Sequence, residues 1–525
     1  MDRSKLLLWF KVLAAGYLGY FYFTVQFRTF EILLLTGILI LTALLPSYLW
    51  CAGKAHGLPI VPVFALSTFP SYILPIHKGS EILKQYTQET EVRALLCLIS
   101  FLLVVTLVWH QICNNPKGGP KECRMMNLEG STALLVAFLI LGFLFQLLGA
   151  FFNQIGGGLF SLIRGYTGNA AMLAMFIFSY RLGIGTLSMP LKILLFGVVG
   201  LLIVVEAASF ILAGTLVRLA VIGAGYTLGG QKIPWKTAIS AIALLSVLHA
   251  GKAEMRETYW KEGIAIREFS LVEYPKIFGD WFVKGINVLG KGRDAQEKEV
   301  QSAAERGSMI QILFRIIEWT PARKPFLEGE TYLGIPSLLV PRILYKEKGI
   351  AHIGNWILAY QYEFLTLEGL SKTSVGFDLL SESYANYGYV GMAGLAVFLA
   401  LFYGWVARLS IGVPLLSLRF LFAVLVLSGT FSSNNTMGVF VTTLWQSSMA
   451  LLTLGLFLTK KMPNPLFVIS GIKTDSKGLE IAGSSNRETE REEKVGNENR
   501  NAETAPVRHE RPKRFVYGEK PEAQR

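Results

Sequence analysis

Charge is scarce in this chain. Only 17% of its 525 residues are Asp, Glu, Lys or Arg, against about 25% in a soluble domain, and 52% are hydrophobic. That shortage excludes an ordinary soluble protein and implies repeated membrane spans, each needing about 20 apolar residues. Cysteine is scarcer still. Cys51, Cys97, Cys113 and Cys123 are the whole supply, and no CxxC pair gives metal or redox spacing. The histidines are scattered, so no His/Asp/Glu group has the spacing of a metal site. Walker loops, HExxH and GxSxG are missing, and the Gly156–Gly158 run follows no strand. Acidic residues are outnumbered, 37 against 50 Lys and Arg. Lys and Arg held in cytoplasmic loops account for the resulting charge of +13 without nucleic acid as a partner.

What is present is hydrocarbon in runs. Apolar stretches fall near 6–26, 30–50, 58–76, 92–112, 131–152, 167–189, 191–212, 214–230 and 235–250, with three more near 387–407, 413–431 and 436–459. The first has no small-residue cleavage site and is too long for a signal-peptide core, so it is expected to remain as a span. The third contains Pro59, Pro62, Pro70 and Pro75 and must be kinked or broken. The pattern predicts an all-α polytopic membrane protein of about 12 transmembrane helices with one large, partly helical extracytoplasmic loop. Its parts are a bundle over 1–250, the loop over 251–386, three spans over 387–460 and a polar tail over 470–525. With a cytoplasmic N-terminus, the connections CAGKAH, NNPKGGPKECRMM, the Arg181 turn, GGQKIPWK, the Arg408–Arg419 loop and Lys460–Lys461 all fall inside and are nearly all basic. The positive-inside rule then puts both termini in the cytoplasm and the long loop outside. The tail is too poor in aliphatic residues to bury a core and is expected to be disordered.

The long loop is more than a linker. It holds Trp260, Phe269, Trp281, Phe282, Trp319, Phe326 and Tyr332. Between Ala303 and Trp319, Met309, Ile312, Leu313, Ile316 and Ile317 recur at helical spacing. An amphipathic helix follows, lying on the membrane surface or over the bundle mouth and ended at Thr320 by Pro321.

Arginine is the chemistry-bearing residue that stands out. Arg256, Arg306, Arg315 and Arg342 punctuate the loop, and a guanidinium is a planar, permanently charged fork that grips phosphate bidentately. The alternative is solvated ion pairing with Glu254, Glu305 and Glu318. Inside the membrane, Glu206 and Arg218 sit on consecutive antiparallel runs on the order of 10 Å or less below the outer turn. They form either a structural ion pair or the anion-binding wall of an outward-facing cavity.

The ordered set GKAEMRETYW, Arg306 with TPARKPFLEGETY, IPSLLVPR and LLSESYANYGYVG, over about 235–410, resembles the Wzy-type O-antigen and exopolysaccharide repeat-unit polymerases. The resemblance implies a metal-independent, cofactor-free membrane glycosyltransferase in a bacterial inner membrane. Its substrate would be an oligosaccharide linked to undecaprenyl pyrophosphate, with export or chain-length proteins as partners. It implies pyrophosphate contacts from Arg256, Arg306 and Arg342; Arg218, from the intramembrane pair and outside the resemblance, is a further candidate contact. It places Glu330 and Tyr332 in GETY, and Glu382, Tyr384 and Asn386 in SESYANYG, at recurring family positions; Tyr332, Tyr384 and Asn386, with Glu206 of the intramembrane pair, are the candidates for positioning the acceptor. A diphosphate leaving group needs cations more than an acid, and the acceptor hydroxyl needs a base; Glu382 is the first choice and Glu330 the second. Two alternatives remain. An O-antigen ligase-like transferase would use a histidine, which His352 does not match in place. A lipid-oligosaccharide flippase would show internal repeats and broken helices.

Overall fold

The computed structural model describes residues 3–25, 29–116, 119–151, 158–207, 210, 212–261, 273–290, 308–340, 344–345, 348–372, 375–430 and 435–467. The apolar runs become helices, as they must where no water is present to satisfy the backbone. In chain order these are α1 (Arg3–Thr24), α2 (Phe30–Cys51), α3 (Ile60–Leu66), α4 (Leu74–His77), α5 (Gln88–Cys113), α6 (Leu128–Phe151), α7 (Gly158–Gly183), α8 (Met189–Ala207), α9 (Ala213–Leu228) and α10 (Trp235–Lys261). The charged segment contributes α11 (Tyr274–Gly290), α12 (Met309–Trp319), α13 (Glu330–Leu333), α14 (Ile335–Leu339), α15 (Ile353–Gln361) and α16 (Leu367–Lys372). The chain then closes with α17 (Leu379–Leu409), α18 (Leu418–Gly429) and α19 (Met437–Leu458). Nine helical stretches among the described residues are long and apolar enough to cross a bilayer. The protein is a helical membrane protein.

Polar caps start these helices where the sequence places them. Thr87 accepts from Thr90 N at 3.2 Å to open α5, and Ser308 accepts from Gln311 N at 3.2 Å to open α12. The proline-rich third run is discontinuous: α3 ends at Leu66, a π-helical turn covers Phe69–Ile73, and α4 follows. Hydroxyls take up the freed carbonyls at the break, Ser67 Oγ donating to Phe64 O and Thr68 Oγ1 to Ala65 O. A small cavity opens beside this break, lined in part by Ser67, Thr68, Tyr72, Asp378, Tyr403 and Asn435.

Helix α12 covers the bundle rather than lying on lipid. Met309, Ile310, Ile312, Leu313, Phe314, Ile316 and Ile317 are all buried, in one cluster with residues of α5 and α17. Residues 303–307 of the expected helix lie outside the described residues.

The loops gather into two sets. In the first, His56 N donates to Cys113 O, Leu58 N to Ser410 Oγ and Arg408 Nη1 to Ile112 O. There β1 (Glu122–Met126) pairs antiparallel with β2 (Thr459–Pro463), in a register that sets Arg124 opposite Lys461. Asn464 Nδ2 donates to Pro120 O and Gly412 O, Arg181 Nη1 to Thr132 Oγ1, and Gln231 Nε2 to Gly183 O. In the second set Thr24 meets His77, Gln88 meets Glu31, and Met437 N donates to Glu382. The helices α1, α2, α5 and α19 that connect the sets have 22 or 26 residues. At 1.5 Å per residue that is about 33 Å or more, so the sets occupy opposite ends. One end collects the basic connections, and the start of α17 lies at the other.

Candidate functional site

The first turns of α17 form a buried wall from Leu379 to Asn386. Asp378 opens it, its Oδ1 accepting from Ser381 N at 2.9 Å. The helix then breaks, at Tyr387 (φ −139°) and Gly388 (φ 60°, ψ −141°). Only glycine takes that second conformation without strain, and a Cβ on Gly388 would lie 3.1 Å from the Phe326 ring.

The break frees carbonyls, and the GETY segment uses them. Leu327 N donates to Ala385 O at 3.0 Å and Glu328 N to Asn386 O at 3.2 Å. Gly329 N donates to Asn386 Oδ1 at 2.9 Å, while Asn386 Nδ2 donates to Thr331 Oγ1 at 2.9 Å and Glu382 O at 2.8 Å. A left-handed pair, Glu328 (φ 47°) and Gly329 (φ 93°), turns the chain outward. Asn386 is therefore a buried clamp between two segments and contacts no solvent.

This clamp gives the two candidate carboxylates opposite environments. Glu330 is exposed at the start of α13. Glu382 is fully buried. Its Oε2 accepts from Met437 N at 2.5 Å and so caps α19, a helix whose own N-cap residue, Thr436, makes no side-chain cap. Its Oε1 makes no full hydrogen bond and lies 3.0 Å from where a Cβ on Gly354 would sit, with Thr331 and Thr436 beside the same point. Tyr332 is half-buried, its ring centroid 6.5 Å from that of Tyr387. Burial, reinforced by the Glu382 charge, raises its phenol above the ordinary value. Tyr332 is thus a protonated donor at neutral pH. Tyr384, two residues past Glu382, turns to another flank and packs edge-on against Tyr389 with centroids 5.3 Å apart.

The second polar group belongs to α8, α9 and α10. Glu206 and Arg218 form an ion pair with 14% and 12% of their side chains exposed. Gly214 leaves the room for it, because a Cβ there would come within 2.7 Å of Glu206 Oε2. Arg256 Nη2 donates to Phe210 O at 2.8 Å, holding the α8–α9 turn. Phe210 in turn packs edge-on against Trp281 of α11. Since Gly183 and Gln231 are at the basic end, this turn and Arg256 are at the opposite end, the one that holds Glu330.

The structure therefore pairs Glu206 with Arg218 and sets Arg256 on the turn between their helices, and separately places Glu330 and Tyr332 on the segment that Asn386 clamps beside Glu382. Tyr384 stands apart from Glu382, and Arg306 and Arg342 lie outside the described residues. His352 is exposed just before α15. Sequence reasoning missed Thr331, Gly354 and Thr436, which reach Glu382 from distant segments; Thr331 stands inside GETY but only its neighbours were singled out, and Gly354 and Thr436 carry no motif. Asp378 was findable, since an Asp three residues before Ser381 at the start of an apolar run is a cap signature.

Comparison of the chain with protein-family models, with curated proteins and with solved structures finds no match.

Proposed function

We propose that the protein is a membrane glycosyltransferase that lengthens a glycan carried on a lipid diphosphate, as the Wzy-type polymerases it resembles do. The observation that carries this reading is the end of the bundle opposite the basic connections. There an exposed carboxylate, Glu330, is held on a rigid turn, and a second polar group contains two arginines. The nine long apolar helices, with α7, α9 and α18, make about twelve crossings. The positive-inside rule favours a cytoplasmic basic end, with Glu330 on the outer side; a bacterial inner membrane is what the resemblance implies.

In the reaction the acceptor hydroxyl oxygen attacks the anomeric carbon of the growing chain. The bond from that carbon to the diphosphate oxygen breaks, and the hydroxyl proton passes to a carboxylate. Glu330 suits this proton transfer because it is open to the substrate, whereas Glu382 is occupied with the α19 N-terminus. Tyr332 donates a hydrogen bond to the acceptor. The departing diphosphate needs positive charge, which Arg256 supplies together with Arg306 and Arg342 of the 251–386 segment, while Arg218, paired with Glu206, stands behind them.

A second reading has one observation in its favour. Carriers line their substrate paths with discontinuous helices, and the break at Ser67–Thr68 borders a cavity that includes Asp378. Purified protein in liposomes, given a lipid-diphosphate oligosaccharide, separates the two. Lipid-linked glycans of two or more repeat units support the polymerase. Transfer of unchanged lipid between leaflets, with no longer product, would replace it with a translocator. In cells lacking the gene, single lipid-linked repeat units are expected to accumulate; long unattached chains would indicate a ligase.

A further inference from the structure

Helices α6 and α7 run antiparallel along a seam of small residues. A Cβ on Gly142 would come within 2.4 Å of Ala171 Cβ and 2.9 Å of Thr167 O, so the helices touch there through backbone. Two turns further from the basic end, Gly149 of α6 meets Arg164 of α7, seven residues along each helix from the Gly142–Ala171 contact. A Cβ on Gly149 would sit 2.5 Å from Arg164 Nη1 and 2.9 Å from its Cδ. The guanidinium thus lies across bare backbone.

Three further facts bear on this arginine. Its residue is exposed. Its guanidinium has no carboxylate or hydrogen-bond partner among the described residues, unlike Arg218 with Glu206 or Arg93 with Glu89. Gly149 also lies two residues before the end of α6 at Phe151, at the end of that helix away from the basic connections. A long basic side chain near the end of a membrane helix reaches towards the head groups, where lipid phosphates lie. The polar seam continues inward: Gln446 of α19 packs on Gly165, and Ser447 Oγ donates to Asn169 Oδ1 at 2.9 Å.

We propose that Arg164, seated on Gly149 between α6 and α7, binds the phosphate of a membrane lipid. Its planar fork matches two phosphate oxygens, and the glycine lets the head group approach without a side chain in the way. The phosphate is that of a bulk anionic phospholipid or of a polyprenyl diphosphate; the chemistry of the contact is the same. The proposal does not rest on glycan transfer, and its test does not read activity.

Native mass spectrometry of the full-length protein in detergent provides the measurement, with phosphatidylglycerol, undecaprenyl diphosphate and zwitterionic phosphatidylcholine titrated separately. Wild type is expected to retain one phosphatidylglycerol or one undecaprenyl diphosphate in preference to phosphatidylcholine. Arg164→Ala should lower that occupancy about tenfold and Arg164→Lys by less. Gly149→Val, which keeps the cation and fills its seat, should also lower it, with melting temperatures recorded as the folding control. Preference for phosphatidylglycerol alone identifies a structural lipid, and preference for the diphosphate identifies a carrier lipid. If Arg164→Ala retains both anionic lipids as wild type does, the proposal is wrong, whatever Gly149→Val does.

Discussion

At the scale of single residues, the contrast between Glu330 and Glu382 decides most. Both were candidates because the resemblance sets each at a recurring family position, in GETY and SESYANYG. Their environments were not legible, since burial of Glu382 depends on Gly354 and Thr436 arriving from separate segments. Removing an acceptor from a buried N–H costs about 1–3 kcal/mol. Glu382→Ala should therefore lower the melting temperature of the detergent-solubilised protein, while Glu382→Gln, which keeps an acceptor oxygen for Met437 N, retains most polymer synthesis. Glu330→Gln should leave melting unchanged and reduce synthesis by about 10²- to 10⁴-fold, the usual range for losing a general base. Should Glu382→Gln abolish synthesis at unchanged melting temperature while Glu330→Gln does not, the assignment of the two carboxylates is reversed. Arg256 offers a second comparison. It holds Phe210 O through one nitrogen, so Arg256→Lys preserves charge but loses the fork. If Arg256 contacts the diphosphate, Arg256→Lys should lose about 30-fold or more in polymer synthesis; wild-type synthesis would leave it only the α8–α9 turn.

Individual elements were readable where a local rule governs them. Four prolines in the third run predicted its interruption, and the structure divides it at Leu66. The periodicity of 309–319 predicted an amphipathic helix, but a moment alone does not distinguish lipid from protein as the covering phase. The break in α17 was not read from sequence, although Tyr387-Gly388 stands in the motif; a glycine in an apolar helix is usually tolerated without a break. Here Gly388 has a left-handed φ, and the carbonyls its break releases anchor residues 327–329. Gly388→Ala would force a Cβ into a conformation costing about 1–3 kcal/mol and towards the Phe326 ring. The expected outcome is a lower melting temperature together with faster proteolysis in the 327–333 segment. A variant as stable and as resistant as wild type would show that the break is not dictated by this residue.

At the scale of the whole molecule, hydropathy located the helices, and charge predicted which connections share a side. It could not show that these connections touch. The pairing of β1 with β2 joins ECRMM to TKKMP, segments without an alternating pattern that would mark them as strands. Yet the contact gives the topology a test that depends on the entire bundle. Lys121 precedes β1 at the basic end, and Glu368 of α16 belongs to the segment packed at the other end; both are exposed. The four native cysteines are buried, so a maleimide that cannot cross membranes should find little background. In intact cells Glu368→Cys should react at once, and Lys121→Cys only after permeabilisation. The reverse pattern would turn the molecule over and move Glu330 into the cytoplasm, away from any extracytoplasmic glycan. Equal reaction at both positions in sealed cells would separate the ends from the two sides of the membrane altogether, and the parity drawn from the basic loops would fall with it.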